Sequence, residues 1–365
     1  MSTTYQNHFI KLTIISIFII ITISTPSTSA QAAPAFKCTT KPTCKALVGY
    51  ISPNKTTLSN IQKLFQVKTL RTLLGVNNLP PNTPSNYSVA VNSTVKIPFP
   101  CRCFNGTGVS NQVPKYKVVK NDGLYHIAAQ VFSGLVTDQQ IQSANGIKDL
   151  NLIIIGQDLW IPLPCSCDDV DGEKVVHYGH VVAAGSSVDK IASEFGTTPQ
   201  TLMTVNDIKD PKDLIAGQVL DVPLRACNSS VNPASFDYPL LVPDGTYVDT
   251  AHNCVMCKCN VSKSLTLQCD PSGLKAVDWP TCPSMKCASS NMFLGNSTDQ
   301  SSCGSSSCAY AGFLKNQTIL TTMATSICPG NSPNESNEGL KINSRGWSFI
   351  TIMLCIQLLF LHRFL

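Results

Sequence analysis

The sequence predicts an α+β fold: three tandem strand–helix–helix–strand (βααβ) units stapled by disulfides, followed by a small cysteine-rich module of strands and loops. Three observations predict it. The dipeptides Ile97-Pro98, Ile161-Pro162 and Val222-Pro223 recur at intervals of about sixty residues, and Gly156-Gln157 and Gly217-Gln218 stand ahead of the last two. Each repeat carries an apolar stripe with helical spacing. Cysteines frame the repeats and then crowd the segment behind them.

The elements follow in order. Lys11, an apolar run from Leu12 to Ile23, and the small residues Ser27, Thr28, Ser29, Ala30, Ala32 and Ala33 describe a secretory signal peptide over 1–30. The run is shorter than the roughly 20 apolar residues a membrane span needs. The first unit, 36–104, includes an N-terminal cysteine segment and has Leu58, Ile61 and Phe65 on one helical face. The second, 114–165, has Leu124, Ile127, Ala128 and Val131; the third, 176–226, has Val188, Ile191, Ala192 and Phe195. These are i, i+3, i+4, i+7 patterns. Thr137 with Gln140 fits a capping box, and Thr198 with Pro199 fits an N-cap followed by proline at the first helical position. Asn77, Asn145 and Asn206 recur at the ends of short apolar segments. Short β-type runs, Tyr116 to Val119 and Asp158 to Ile161, flank the middle helix pair. Antiparallel pairing of a unit's two strands makes a two-stranded sheet with both helices on one face.

Units of this size bury little apolar surface, so cross-links matter. Cys38 and Cys44 precede the first unit, Cys101-Arg102-Cys103 follows it, Cys165-Ser166-Cys167 follows the second and Cys227 the third. In a strand, two cysteines one residue apart point to opposite sides, so each is placed to bond a different partner. Zinc is disfavoured, because no histidine pair stands nearby and the compartment is oxidising. Residues 227–328 hold ten of the 17 cysteines and form the module; its pairing stays open. Cys355 lies in the terminal tail, which leaves an even sixteen. Glycosylation sequons begin at Asn54, Asn86, Asn92, Asn105, Asn228, Asn260, Asn296, Asn316 and Asn334. A stalk and attachment region, 329–346, with Asn337 as the attachment residue, precedes an apolar tail, 347–365. Small site, polar spacer and apolar tail are the pattern of a GPI-attachment signal.

Composition excludes several function classes. Charged residues are 13% of the chain, about half the usual fraction, and the net charge of +5 is dispersed, so no nucleic-acid partner is expected. A weakly charged surface suits a neutral polymer. No cofactor or metal site and no catalytic residues are expected. The acidic run Asp168-Asp169-Val170-Asp171-Gly172-Glu173 follows a C-x-C and reads as a solvated turn rather than a glycosidase pair. His126, His177, His180 and His252 are scattered, without H-E-x-x-H, and no G-x-S-x-G occurs.

Five stretches carry a family likeness: Leu47-Val48-Gly49-Tyr50, Asn78-Leu79-Pro80, Leu135-Val136-Thr137, Trp160-Ile161-Pro162-Leu163-Pro164-Cys165-Ser166-Cys167-Asp168 and Cys308-Ala309-Tyr310-Ala311-Gly312. With both end signals, they resemble the plant LysM-domain GPI-anchored proteins from about Phe36 to Cys328. The resemblance implies binding of chitin (N-acetylglucosamine) oligosaccharides in immune sensing at the outer face of the plasma membrane. It also implies the pairs Cys38–Cys103, Cys44–Cys167 and Cys101–Cys165. It places the ligand between two loops of a unit, in the middle unit Asn121, Asp122, Gly123 and Leu124, and Lys148, Asp149, Leu150, Asn151, Leu152 and Ile153. Backbone groups there would meet the acetamide, and Leu150, Leu152 and Ile153 its methyl. Of the run that follows, Ile154 and Ile155 are expected in the core. Asp122 is expected to serve as a helix N-cap, and Lys148 with Asp149 fits a solvated turn. The family's D-P-N-K reads Asp149-Leu150-Asn151-Leu152 here; the third unit keeps Asp210-Pro211-Lys212-Asp213, and the first carries the insertion Leu79 to Pro84. A lipid anchor carries no message inward, so a transmembrane LysM receptor-like kinase and a ligand-induced homodimer are the expected partners. Peptidoglycan binding and wall adhesion without signalling are the alternatives.

Overall fold

The computed structural model describes residues 36–228, 231–260, 267–288, 290–298 and 306–325. The expected signal segment, Asn334, the stalk with Asn337, the tail, and Cys303, Cys328 and Cys355 lie outside the described residues.

Three segments run strand, helix, helix, strand. The first comprises β1 (Thr43–Ile51), β2 (Thr56–Thr57), α1 (Leu58–Leu64), α2 (Leu70–Val76), β3 (Ser88–Val89), β4 (Thr94–Phe104) and the hairpin strand β5 (Thr107–Ser110). The middle one comprises β6 (Lys115–Lys117), α3 (Leu124–His126, continued by a π-helical turn Ile127–Val131), α4 (Asp138–Ala144) and β7 (Asp158–Trp160). The third comprises β8 (Val175–Val181), α5 (Val188–Phe195), α6 (Pro199–Val205), a 3-10 turn (Pro211–Asp213) and β9 (Val219–Asn228). Hydroxyl caps start five of the six helices: Thr57, Thr69, Thr137, Ser187 and Thr198 each accept from an amide in the first turn. At Thr137 the full capping box is present.

One asparagine does the same work three times. It ends the second helix and ties it to the closing strand. Asn77 Nδ2 donates to the Leu73 and Lys96 carbonyls, both at 2.8 Å, while its Oδ1 accepts the Lys96 amide at 2.8 Å. Asn145 does this with Ile141 and Trp160, and Asn206 with Leu202 and Asp221, all at 2.8–2.9 Å. A side-chain amide supplies donors and an acceptor in one plane, so no other small residue fills all three roles.

The sheets differ from three separate pairs. The middle segment keeps its own two strands, β6 and β7. The first and third segments merge, with β10 (Leu241–Pro243) of the cysteine-rich module added at one edge, into one sheet of order β10-β9-β8-β1-β4-β5, joined where β1 and β8 run parallel at Leu47↔Tyr178 and Val48↔Gly179. The junction depends on close approach: a β-carbon on Gly49 would meet the Tyr178 hydroxyl at 2.0 Å. The first and middle segments share a core through Tyr50, Phe65, Phe132 and Tyr116, whose rings follow one another at 5.0, 5.5 and 5.9 Å. The third has its own core, which Leu47 joins.

Bonds Cys38–Cys103, Cys44–Cys167 and Cys101–Cys165 knot the N-terminal segment and the two C-x-C pairs together. The acidic run beside the knot is more than a solvated turn. Asp168 accepts from the amides and hydroxyls of Thr39 and Thr40, Asp169 pairs with Lys41 at 2.6 Å, and Asp171 accepts from Thr201 at 2.7 Å. Backbone turns bring these short acids within reach of a neighbouring segment, which hydropathy does not show.

The cysteine-rich module is built from β10 (Leu241–Pro243), β11 (Tyr247–Thr250), β12 (Val255–Lys258), β13 (Gln268–Pro271), β14 (Ser306–Leu314) and β15 (Thr318–Thr325). It contains the bonds Cys227–Cys259, Cys254–Cys282, Cys257–Cys269 and Cys287–Cys308. It docks on the first segment, where Arg71 grips Asp249 with Nε at 2.6 Å and Nη2 at 3.1 Å, and Tyr247 donates to the Leu79 carbonyl at 2.8 Å.

Candidate functional site

The two loops singled out in the middle segment meet across a groove of about 380 Å³. Asp122, Gly123 and Leu124 line it from one side, Leu150, Asn151 and Ile153 from the other, with Tyr125 and Asp138. Asn121, Lys148, Asp149 and Leu152 are exposed and stand outside that lining.

The first loop is fixed by a buried carboxylate. Asp122, with its side chain 1% exposed, accepts from the Tyr116 hydroxyl at 3.0 Å and the Val119 amide at 2.8 Å, and lies 3.0 Å from His126 Nδ1. It therefore is not the N-cap. Gly123 holds that position without a side-chain bond, because Asp122 turns back to strand β6. Burial and the Asp122 charge push the Tyr116 hydroxyl up to about 12. Asn121 sits beside this lock at φ 70°, a left-handed conformation that asparagine tolerates. Leu124 is 2% exposed and belongs to the core; the first position of the helical stripe points inward, so only its edge reaches the groove.

The second loop is set by Asp149, whose Oδ1 accepts the Asn151 amide at 2.9 Å and its Nδ2 at 3.2 Å. This Asx turn carries Leu150 and Ile153 half-buried onto the groove floor, against the core. Leu152 is exposed on the far side. Ile154 and Ile155 are not core: they are 73% and 67% exposed. A turn at Ile155-Gly156 bends the run away from the body, so it never acquires the alternation of a strand.

The groove offers unused backbone. Among the described residues, the Gly123 N–H and both the N–H and C=O of Ile153 have no hydrogen-bond partner. Beside them, Tyr125 stands 71% exposed. Sequence reasoning missed it; a tyrosine between the buried Leu124 and the exposed His126, off the apolar stripe, was the available signal. The corresponding turn of the third segment is closed on itself, since the Asp213 carboxylate accepts the Asp210 amide and the Asp210 carboxylate accepts the Lys212 amide. Among the described residues, no lysine or arginine lines the middle groove; its acidic lining residues are Asp122 and Asp138.

Seven expected glycosylation asparagines, Asn54, Asn86, Asn92, Asn105, Asn260, Asn296 and Asn316, are exposed. Asn228 is the last residue of β9.

The LysM domain family matches residues 116–162 and 180–223, the middle and third segments. The chain is 46% identical over 333 residues to LysM domain-containing GPI-anchored protein 2 of Arabidopsis thaliana, covering 91% of this chain and 93% of that protein. It is 46% identical over 292 residues to the chitin elicitor-binding protein of Oryza sativa subsp. japonica, covering 78% and 80%. Chitin elicitor receptor kinase 1 of Physcomitrium patens is 28% identical over 194 residues, covering 53% of this chain and 29% of the kinase.

Proposed function

This chain belongs to the LysM domain-containing GPI-anchored proteins, and from that premise we propose that it binds chitin oligosaccharides in the middle-segment groove as a receptor or co-receptor of plant immunity. Its family is one of anchored binding proteins, not enzymes, at the cell surface. The observation that carries the reading is the pairing of free backbone on Gly123 and Ile153 with the apolar floor of Leu150 and Ile153. An N-acetylglucosamine ring presents an amide that needs both a donor and an acceptor, and a methyl that needs an apolar notch. No charge is required of either side.

The first strand–helix–helix–strand segment is read as a third LysM unit. Its support is the Asn77 clamp, which repeats the bonds of Asn145 and Asn206, and its threonine-capped helices. Peptidoglycan is the second candidate ligand. The lactyl carboxylate of muramic acid would enter a groove whose lining holds Asp138 and no cation, which favours chitin. A lipid anchor ends in one leaflet, so signalling needs a partner; a transmembrane LysM receptor-like kinase fits, and a relative named as a chitin elicitor receptor kinase supports that class. A repeating polymer also supports a ligand-bridged homodimer.

The test is calorimetric titration of the mature chain, released from its anchor, with chitin oligomers and with peptidoglycan fragments in competition. Chitin should bind and peptidoglycan fragments should not displace it. Replacing Ile153 by Gln should weaken chitin binding while the chain stays folded and its thermal unfolding stays cooperative. Binding that survives this replacement would remove the groove from the reading.

A further inference from the structure

A second depression lies where three parts of the molecule meet. It encloses about 320 Å³ between the end of α2 and β4 in the first unit, β8 and α5 in the third, and the β10–β11 turn of the cysteine-rich module. Its walls include Lys96, Tyr178, His180, Glu194, Phe195 and Thr246. Tyr178 is 1% exposed, yet its hydroxyl has no hydrogen-bond partner among the described residues. A hydroxyl withdrawn from water without a partner is destabilising, and such groups persist where a water or a ligand completes them. The ring of Phe195 packs 5.2 Å from Tyr178 and 5.1 Å from His180, which makes an aromatic wall. The Lys96 ammonium forms no ion pair with a described residue. Asp244 lies near it and Glu194 stands across the cleft, so the charges do not sum to an anion site.

An aromatic wall, a few convergent donors and acceptors, and no dominant charge match a pyranose ring, with its apolar C–H face and hydroxyl rim. We propose that this cleft between the first unit, the third unit and the module is a second saccharide site, with Tyr178 donating from its floor and Lys96 and Glu194 meeting hydroxyls at its rim. The inference takes from the proposed function only the chemical class of the ligand; the residues are different. A saccharide could arrive from two sources: a free oligomer, or a glycan of the chain itself. Thr94 lines the cleft and completes the sequon that begins at Asn92.

The test uses chitotetraose carrying a photoactivatable diazirine, with the mature chain in glycosylated and enzymatically deglycosylated forms, followed by peptide mapping. Label is expected on peptides bearing Tyr125 and, separately, on peptides bearing Tyr178 or Phe195. Tyr178→Phe, which removes a hydroxyl with no protein partner, should weaken labelling of the cleft roughly three- to tenfold and leave the groove label unchanged. Glu194→Trp, at an exposed helical position, should fill the mouth and abolish the cleft label. Cleft label that appears only after deglycosylation identifies the chain's own glycan as the native occupant; label in both forms identifies a free oligomer. Groove label without cleft label in either form overturns this inference and leaves the proposed function standing. Cleft label without groove label does the reverse.

Discussion

Replacing Tyr125 by alanine separates binding from folding. The side chain is 71% exposed and touches no described residue through a hydrogen bond or ring contact, so its loss should change stability by no more than about 0.5 kcal/mol. In the complex, one face of the ring stacked on a sugar covers about 50 Å², worth about 1.3 kcal/mol at 25 cal/mol/Å². That corresponds to about a tenfold rise in Kd. Tyr125→Phe keeps the ring and should stay within about twofold of the native chain. The neighbouring Leu124→Ala reports the opposite: a core residue at 2% exposure, costing about 2–5 kcal/mol of stability. Calorimetry with a chitin oligomer and thermal unfolding of the same three variants check the argument. An unchanged Kd for Tyr125→Ala would refute it, as would a loss of affinity accompanied by a lowered Tm.

Asn206→Ala breaks three hydrogen bonds and strands the Asp221 amide and carbonyl; a loss of about 3 kcal/mol is expected, read by hydrogen exchange along β9, and Asn206→Asp should be worse because a carboxylate faces two carbonyls. His177 is buried against Asp221 at 2.8 Å, with Nε2 2.7 Å from the Asp168 carbonyl. Burial lowers its pKa, but the Asp221 charge and hydrogen bonds outweigh this and hold it above the ordinary 6.5. Its stabilisation is therefore complete below about pH 6.5 and is lost as pH rises through the raised value; denaturant midpoints should fall over that window for the native chain and stay flatter for His177→Gln. Long chitin oligomers should assemble two chains, or one chain and a receptor kinase, and short ones should block this; equal scattering mass at matched occupancy for both lengths, with no kinase co-purifying, would leave a passive binder.

Much of this was legible before the structure, for identifiable reasons. Helical stripes, hydroxyl caps and the repeated Ile-Pro and Asn positions are local signals. What stayed hidden depends on contacts across the chain. The parallel junction of β1 and β8 rests on Gly49 yielding space to Tyr178, and no pattern in either segment announces it. The Arg71–Asp249 grip spans a separation of 178 residues. At the site, hydropathy misled where a turn intervenes: Ile154 and Ile155 read as core but stand in solvent, and Asp122 read as a cap but locks a tyrosine. Tyr125 was missed because an exposed aromatic on a helix leaves no periodic trace.

The groove's economy of polar groups explains why a polymer, rather than one sugar, should be the ligand. The free Gly123 N–H and the free N–H and C=O of Ile153 border the open groove, so water satisfies them in the unbound protein at little cost. A sugar's acetamide replaces that water with bonds of similar strength, and the net gain per hydrogen bond is only about 1 kcal/mol. Tight binding must then come from many rings held in register, without further loss of protein entropy. Rigidity supplies that condition. Asp122 and Asp149 lock the two loops, the Asn145 clamp fixes α4 to β7, and the knot Cys38–Cys103, Cys44–Cys167 and Cys101–Cys165 fixes the middle unit to the rest. A preorganised groove avoids the ordering cost that would otherwise cancel such small gains. Affinity should then rise with each ring added until the groove is filled and stay level beyond it, except where a longer chain reaches a second site.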